Sequence, residues 1–253
     1  MLDIQPILFG DNFNYLLHTP DSSALGVVDL ANGNALARDL SAKQLRPTHL
    51  FLTHHHFDHI ADLEDFIAHF PEIQVFKPEG EDRIEVPAIE VNGSSTIEFG
   101  TTTVRALLTH AHTRHCAAYL FDQIALFTGD ALFQAGCGRL FEGSAHDLEE
   151  AMDLFTSLPP HTQLYFGHEY GLVNLRFAQF IEPGNPHVKA ALQQLKQKLA
   201  LGEYGVPGKL EEELQTNPFL RIDEPSLLKL IDPDRCLERQ ERLHQIRRKR
   251  DHF

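Results

Sequence analysis

A chain of 253 residues with 42% apolar and 23% charged side chains can bury one large core, or a medium core with a smaller companion. Its balance of 22 basic against 36 acidic residues, a formal charge of −14, repels polyanions and excludes nucleic acid as a general partner. No apolar run reaches membrane-spanning length and MLDIQPILFG has no secretory character, so a cytoplasmic protein with no membrane partner is expected.

Taken in chain order, short runs rich in β-branched and aromatic residues recur up to residue 168: ILFG, GVVDL, THLFLT, IQVFK, TVRALLT, AAYLF, IALFTG and QLYFG. They read as strands, with helical stretches between some of them. In DLEEAMDLFTSL, Leu148, Ala151, Met152 and Phe155 fall at helical spacing, Asp147 with Glu150 reads as a capping box, and Pro159-Pro160 stops the helix. Strands mixed with helices predict a sheet-based α/β architecture for residues 1–168. After residue 170 the runs become long and amphipathic, first VKAALQQLKQKLALG and then the stretch from Ser226 onward, with EPGNP and NPF as turns. Residues 169–253 therefore read as a small α-helical C-terminal domain. Its end, LHQIRRKRDHF, is either a solvated basic helix terminus or a seat for a small anion.

Ligand-type side chains fall at the ends of four strand-like runs. His54, His56, Asp58 and His59 follow THLFLT, His110 and His112 follow VRALLT, Asp130 follows IALFTG, and His168 follows QLYFG. Groups at strand ends share a rigid support, which a metal site needs. Four ligands within six residues crowd a single ion, whereas His54 with His56 and Asp58 with His59 can address two neighbouring ions. Two metals about 3.5–4 Å apart can hold a hydroxide and polarise a carbonyl. A single metal, or a structural zinc, is the competing reading. His55 and His110 read as spare, exposed histidines.

THHHFDH resembles the T-H-x-H-x-D-H signature of the metallo-β-lactamase superfamily. FTGDALFQAGCGRLFEG, YFGHEYGLVNLRFA and EPGN resemble the glyoxalase II (hydroxyacylglutathione hydrolase) family, and the likeness runs nearly end to end. The resemblance implies an αββα sandwich over residues 1–168, followed by a helical domain that helps to bind glutathione. It implies two divalent ions, with zinc expected and iron or manganese as alternatives. His54, His56 and His112 would hold the first, Asp58, His59 and His168 the second, and Asp130 would bridge them. The implied reaction is hydrolysis of the thioester S-D-lactoylglutathione to D-lactate and glutathione by a metal-bridging hydroxide, with Asp58 orienting it. A monomer is expected. The competing activity on this scaffold is a glutathione persulfide dioxygenase with a single iron.

Glutathione is anionic, and the family's binding positions fall here on Arg139, Phe141, Tyr170, Arg247 and Arg250. Phe141 stands where tyrosine is common, so a hydroxyl is missing. The loop THAHTRHC departs from the family's T-P-x-H-T-x-G-H: His110 replaces proline, His115 takes the glycine position and Cys116 follows in place of the second histidine. His112 keeps the His-Thr pair and is the expected third ligand, with His110 and His115 in reserve. The three cysteines, Cys116, Cys137 and Cys236, are odd in number and widely spaced, which suits a reducing compartment. Cys137 has no dedicated histidine and reads as a packing residue, not a nucleophile.

Overall fold

The structure, a computed structural model, describes residues 2–19 and 22–253. The backbone clusters into two compact units, Met1–Leu108 with His115–Gly129, and Thr109–Arg114 with Asp130–Phe253.

In the first unit β1 (Asp3–Phe9), β2 (Asn12–His18), β3 (Leu25–Val28), β4 (His49–Phe51), β5 (Gln74–Pro78) and β6 (Ile89–Val91) form a sheet in chain order. The first three strands are antiparallel, and β3 to β6 pair in parallel. Parallel neighbours need a crossover, which α1 (Gly33–Ala42) supplies before β4 and α2 (Leu63–His69) before β5. Both helices bury one face: Leu36, Leu40, Leu63 and Phe66 share a core with Val27, Leu50 and Val75. Side chains alternate along a strand, so Phe51, next to Leu50, faces the other way. There it meets a second sheet, to which β7 (Thr96–Phe99), β8 (Thr102–Leu108), β9 (Ala117–Phe121) and β10 (Ala125–Gly129) belong. Phe51 lies 5.3 Å from Phe121, and Tyr15 lies 5.1 Å from Phe127, centroid to centroid. Tyr119 reaches across to donate to the Leu52 carbonyl at 2.9 Å.

In the second unit β11 (Gln163–Phe166) pairs antiparallel with β12 (Gly208–Lys209). The helices are α3 (Ala145–Thr156), α4 (Gly171–Ile181), α5 (Pro186–Ala200), α6 (Leu210–Thr216), α7 (Pro225–Ile231) and α8 (Arg239–Asp251). Leu175 and Ala178 of α4 pack on Val188, Leu192 and Leu195 of α5. Arg239 of α8 pairs with Glu149 and Asp153 of α3 at 3.3 and 2.9 Å.

Two local readings are corrected. The capping box of α3 is Ser144 with Asp147, not Asp147 with Glu150: a hydroxyl reaches the N3 amide, and Asp147 reaches back to Ser144. The stretch from Ser226 onward is two helices, because Pro233 cannot continue α7 beyond its Asp232 cap.

α6 also carries a buried acid. Glu213 accepts from the Ala135 amide at 2.7 Å and from Asn217 Nδ2 at 3.0 Å, yet burial pushes its pKa up to about 8. Between its ordinary 4.5 and about 8 the folded state therefore holds a proton that the unfolded chain has released. Stability from this group is complete below 4.5 and falls as pH rises through that window, by up to about 1.4 kcal/mol per pH unit. Urea midpoints at pH 5 and pH 8 should fall less in Glu213→Gln than in the parent; equal falls would refute this.

Candidate metal centre

In the first unit the ligand run is set by strand register. β3 and β4 are parallel with Val28 opposite Phe51, so the chain leaves both strands at the same level. Asp29 follows β3 in a left-handed conformation, φ 56°, and Thr53 and His54 follow β4. The Asp29 carboxylate, 3% exposed, accepts from the Thr53 amide at 2.8 Å, the Thr53 hydroxyl at 2.7 Å and His59 Nδ1 at 2.9 Å. With its Nδ1 proton committed to Asp29, His59 presents Nε2 as a lone pair. Thr53 Oγ1, having given its proton to Asp29, faces His54 Nδ1 at 3.0 Å and fixes that ring in the same sense.

His54 Nε2 then lies 3.1 Å from His56 Nδ1. Two ligand atoms on one tetrahedral zinc, each about 2.0–2.1 Å from it, stand about 3.3 Å apart. The two rings sit at the spacing a shared cation requires. Ligand atoms of His54 and His59, and of Asp58 and His59, also lie within 4.8 Å of each other. Asp58 is held at two points, since Asn12 Nδ2 donates to its carbonyl and to its carboxylate, each at 3.0 Å.

In the second unit one oxygen is the focus. Asp130 Oδ2 stands 3.4 Å from His112 Nε2 and 3.3 Å from His168 Nε2, with all three residues buried. These again match ligand-to-ligand spacing, and a carboxylate shared between two imidazoles suits a bridging role. His112 Nδ1 donates to the Arg139 carbonyl at 2.8 Å, which leaves Nε2 for a metal. His168 is stacked on Tyr170 at 4.5 Å and 8°.

The glutathione candidates also fall in this unit. Phe141, 58% exposed, sets its ring 5.3 Å from that of His112, and Arg139 lies over Phe141 at 5.7 Å. Arg250 is partly exposed with Nε on Asn174 Oδ1 at 3.0 Å. Arg247 is different: it is 6% exposed, with its guanidinium on the Cys137 carbonyl and on Asp251. Burial pushes the Cys137 thiol up to about 11, in keeping with a packing role.

Three histidines are redirected. His55, expected to be spare and exposed, is half-buried with Nδ1 3.0 Å from the buried Glu81 carboxylate. His110, also only part-exposed, donates from Nδ1 to the Arg114 carbonyl at 2.6 Å, and His115 to that of Glu79 at 3.0 Å. Asp29 and Asn12 were missed in the sequence. Asp29 within GVVDL was a usable signal, because it directly follows the apolar strand residues as the candidate ligands do.

Residues 10–168 match the metallo-β-lactamase superfamily model, and residues 169–253 match that of the hydroxyacylglutathione hydrolase C-terminus. A hydroxyacylglutathione hydrolase of Synechococcus sp. is 37% identical over 90% of this chain and 93% of its own. One from Methylococcus capsulatus is 38% identical over 100% of this chain and 99% of its own. The crystal structure of ETHE1 from Myxococcus xanthus superposes with a TM-score of 0.66 at 21% identity, over 98% of both chains, a likeness of fold. The fold and site thus define a metallo-β-lactamase superfamily protein with bound-metal chemistry. Within that superfamily the chain belongs to the hydroxyacylglutathione hydrolase family.

Proposed function

We infer that the chain hydrolyses S-(2-hydroxyacyl)glutathione thioesters, with S-D-lactoylglutathione giving D-lactate and glutathione. The observation that carries this reading is Asp130 Oδ2, 3.4 and 3.3 Å from two imidazole nitrogens whose geometry suits metals. Two divalent ions fit the donor set, with zinc favoured by its imidazoles. His54, His56 and His112 would hold one, Asp58, His59 and His168 the other, and Asp130 both. When bound, such ions acidify a water and polarise the thioester carbonyl.

The chain's own residues do the rest. Asp58, fixed by Asn12, accepts a hydrogen bond from the attacking water and orients it. The leaving thiolate, with a free-thiol pKa of about 8.5, departs without a general acid. Arg139 and Arg250 offer charge to the glutathione carboxylates, and Tyr170 and Phe141 flank the peptide. Residues 169–253 act as the glutathione-binding domain. The relatives' common name, hydroxyacylglutathione hydrolase, supports this substrate class. No helix among the described residues is long and apolar enough to cross a membrane.

The test is to count metals in the purified protein and follow loss of thioester absorbance with S-D-lactoylglutathione before and after chelation. Close to two metals per chain, with activity lost to chelator and restored by zinc, is expected. Cleavage that survives complete metal removal, or a single iron without cleavage, would overturn the reading.

A further inference from the structure

Asn174 lies on α4 one turn beyond Tyr170, whose carbonyl accepts its backbone amide at 3.0 Å. The residue is 3% exposed, and the two ends of its side-chain amide have different surroundings. Oδ1 accepts from Arg250 Nε at 3.0 Å. Because arginine nitrogens only donate, this contact fixes which end of the amide is oxygen. Nδ2 faces the backbone at Gly136, where an added Cβ would stand 2.7 Å away, and it meets no acceptor among the described residues. A buried donor without a partner costs stability. Leucine has nearly the same shape, would remove that cost and is the better helix former. Asparagine at this position is therefore explained by its oxygen, and that oxygen serves Arg250.

A guanidinium is a rigid plane that can take a carboxylate along its Nε–Nη edge or across its two Nη groups. In Arg250 the Nε position is committed to Asn174, so the first edge is closed. The Nη pair of this partly exposed side chain has no acceptor among the described residues and is what remains for a ligand. We propose that Asn174 is a positioning residue for Arg250, holding Nε inward so that the two Nη groups meet a glutathione carboxylate end-on. The proposal rests on the glutathione reading above, in which Arg250 offers charge to that ligand. Anchoring the guanidinium before the ligand arrives also lowers the side-chain entropy lost on binding. One helix, α4, then follows directly from Tyr170, which flanks the peptide, and carries the residue that aims Arg250.

The experiment compares the full-length, metal-loaded parent with Asn174→Leu, Arg250→Lys and the double variant. Glutathione affinity is read by titration calorimetry, kcat and KM with S-D-lactoylglutathione, and stability by urea midpoint. Asn174→Leu should bind glutathione about 10-fold more weakly and raise KM in step, with kcat within about twofold and a midpoint no lower than the parent's. A lysine has no Nε–H fork for Asn174 to hold, so in the Arg250→Lys background Asn174→Leu should weaken glutathione no further. Parental affinity in Asn174→Leu would overturn the proposal, and so would an equal loss in the Arg250→Lys background. Weaker binding accompanied by falls in both kcat and midpoint would mark a purely structural role and also overturn it. Should Asn174→Leu not fold, Asn174→Ala carries the same comparison, since it too removes the acceptor. If the parent binds glutathione but leaves the thioester intact, only the reaction fails, and calorimetry still decides the role of Asn174. A parent that binds no glutathione would sink both readings.

Discussion

Replacing Asp130 by asparagine is expected to lower kcat/KM by more than about 10²-fold and to reduce the metal content of the purified protein. Outer partners of metal ligands typically cost about 10–100-fold when lost, and a carboxylate proposed as a direct metal ligand should exceed that. The change is nearly isosteric, so the reason is charge. Asp130 Oδ2 is the oxygen that both His112 Nε2 and His168 Nε2 approach, at 3.4 and 3.3 Å. An amide oxygen is neutral and a poor bridge between two cations, and an amide nitrogen has no lone pair to offer. Elemental analysis and steady-state kinetics check the prediction together. Full metal content with parental kcat/KM would remove Asp130 from the centre.

Gly138→Ala is the second large effect. The added methyl would sit 2.1 Å from the Asp130 carbonyl oxygen and 2.7 Å from His112 Nδ1, and neither atom belongs to a flexible side-chain end. The Cys137–Arg139 segment must move away, breaking the Arg139 carbonyl's hold on His112. Overpacking of this kind costs about 1–3 kcal/mol of stability, and the lost outer partner should weaken zinc binding by about 10–100-fold. Gly184→Ala, where nothing lies within 4 Å of the new atom, is the control and should match the parent in both readouts. Denaturant midpoints and chelator competition on the two variants decide it. A Gly138→Ala protein as tight for zinc as the control would show that the Cys137–Arg139 segment does not position His112 for a metal.

Much of this was legible in the primary structure, and the limits have physical causes. The α/β class followed from eight short apolar runs, every one of which falls on a strand, and the candidate ligands stood out because they follow four of those runs. Strand β2 was passed over: NFNYLLH carries two asparagines, which depress β propensity, yet Asn12 and Asn14 are buried and held by side-chain hydrogen bonds. Asn12's grip on Asp58 spans 46 positions and depends on where a hairpin turns, which no local pattern encodes. The partner of His112 is harder still, because any residue supplies a backbone carbonyl and the identity of Arg139 says nothing of it. Arg247 shows the opposite limit. Its motif fits an anion-binding tail, while its burial depends on the packing of α8 against the backbone at Cys137.

The family models meet between residues 168 and 169, whereas the backbone clusters Thr109–Arg114 and everything from Asp130 onward into one body. Glu213 and Asn217 brace the turn at Phe133–Gly136, and Arg247 braces Cys137, so the helices hold sequence that the superfamily model claims. Evolution by shuffling therefore meets a hidden constraint in this lineage. A recombinant that inherited its first 168 residues from one ancestor and the remainder from another would need both parents to agree on these braces before any question of substrate arose. Sequence divergence in the helical segment should be slowest at those three positions, even where surface charge drifts freely.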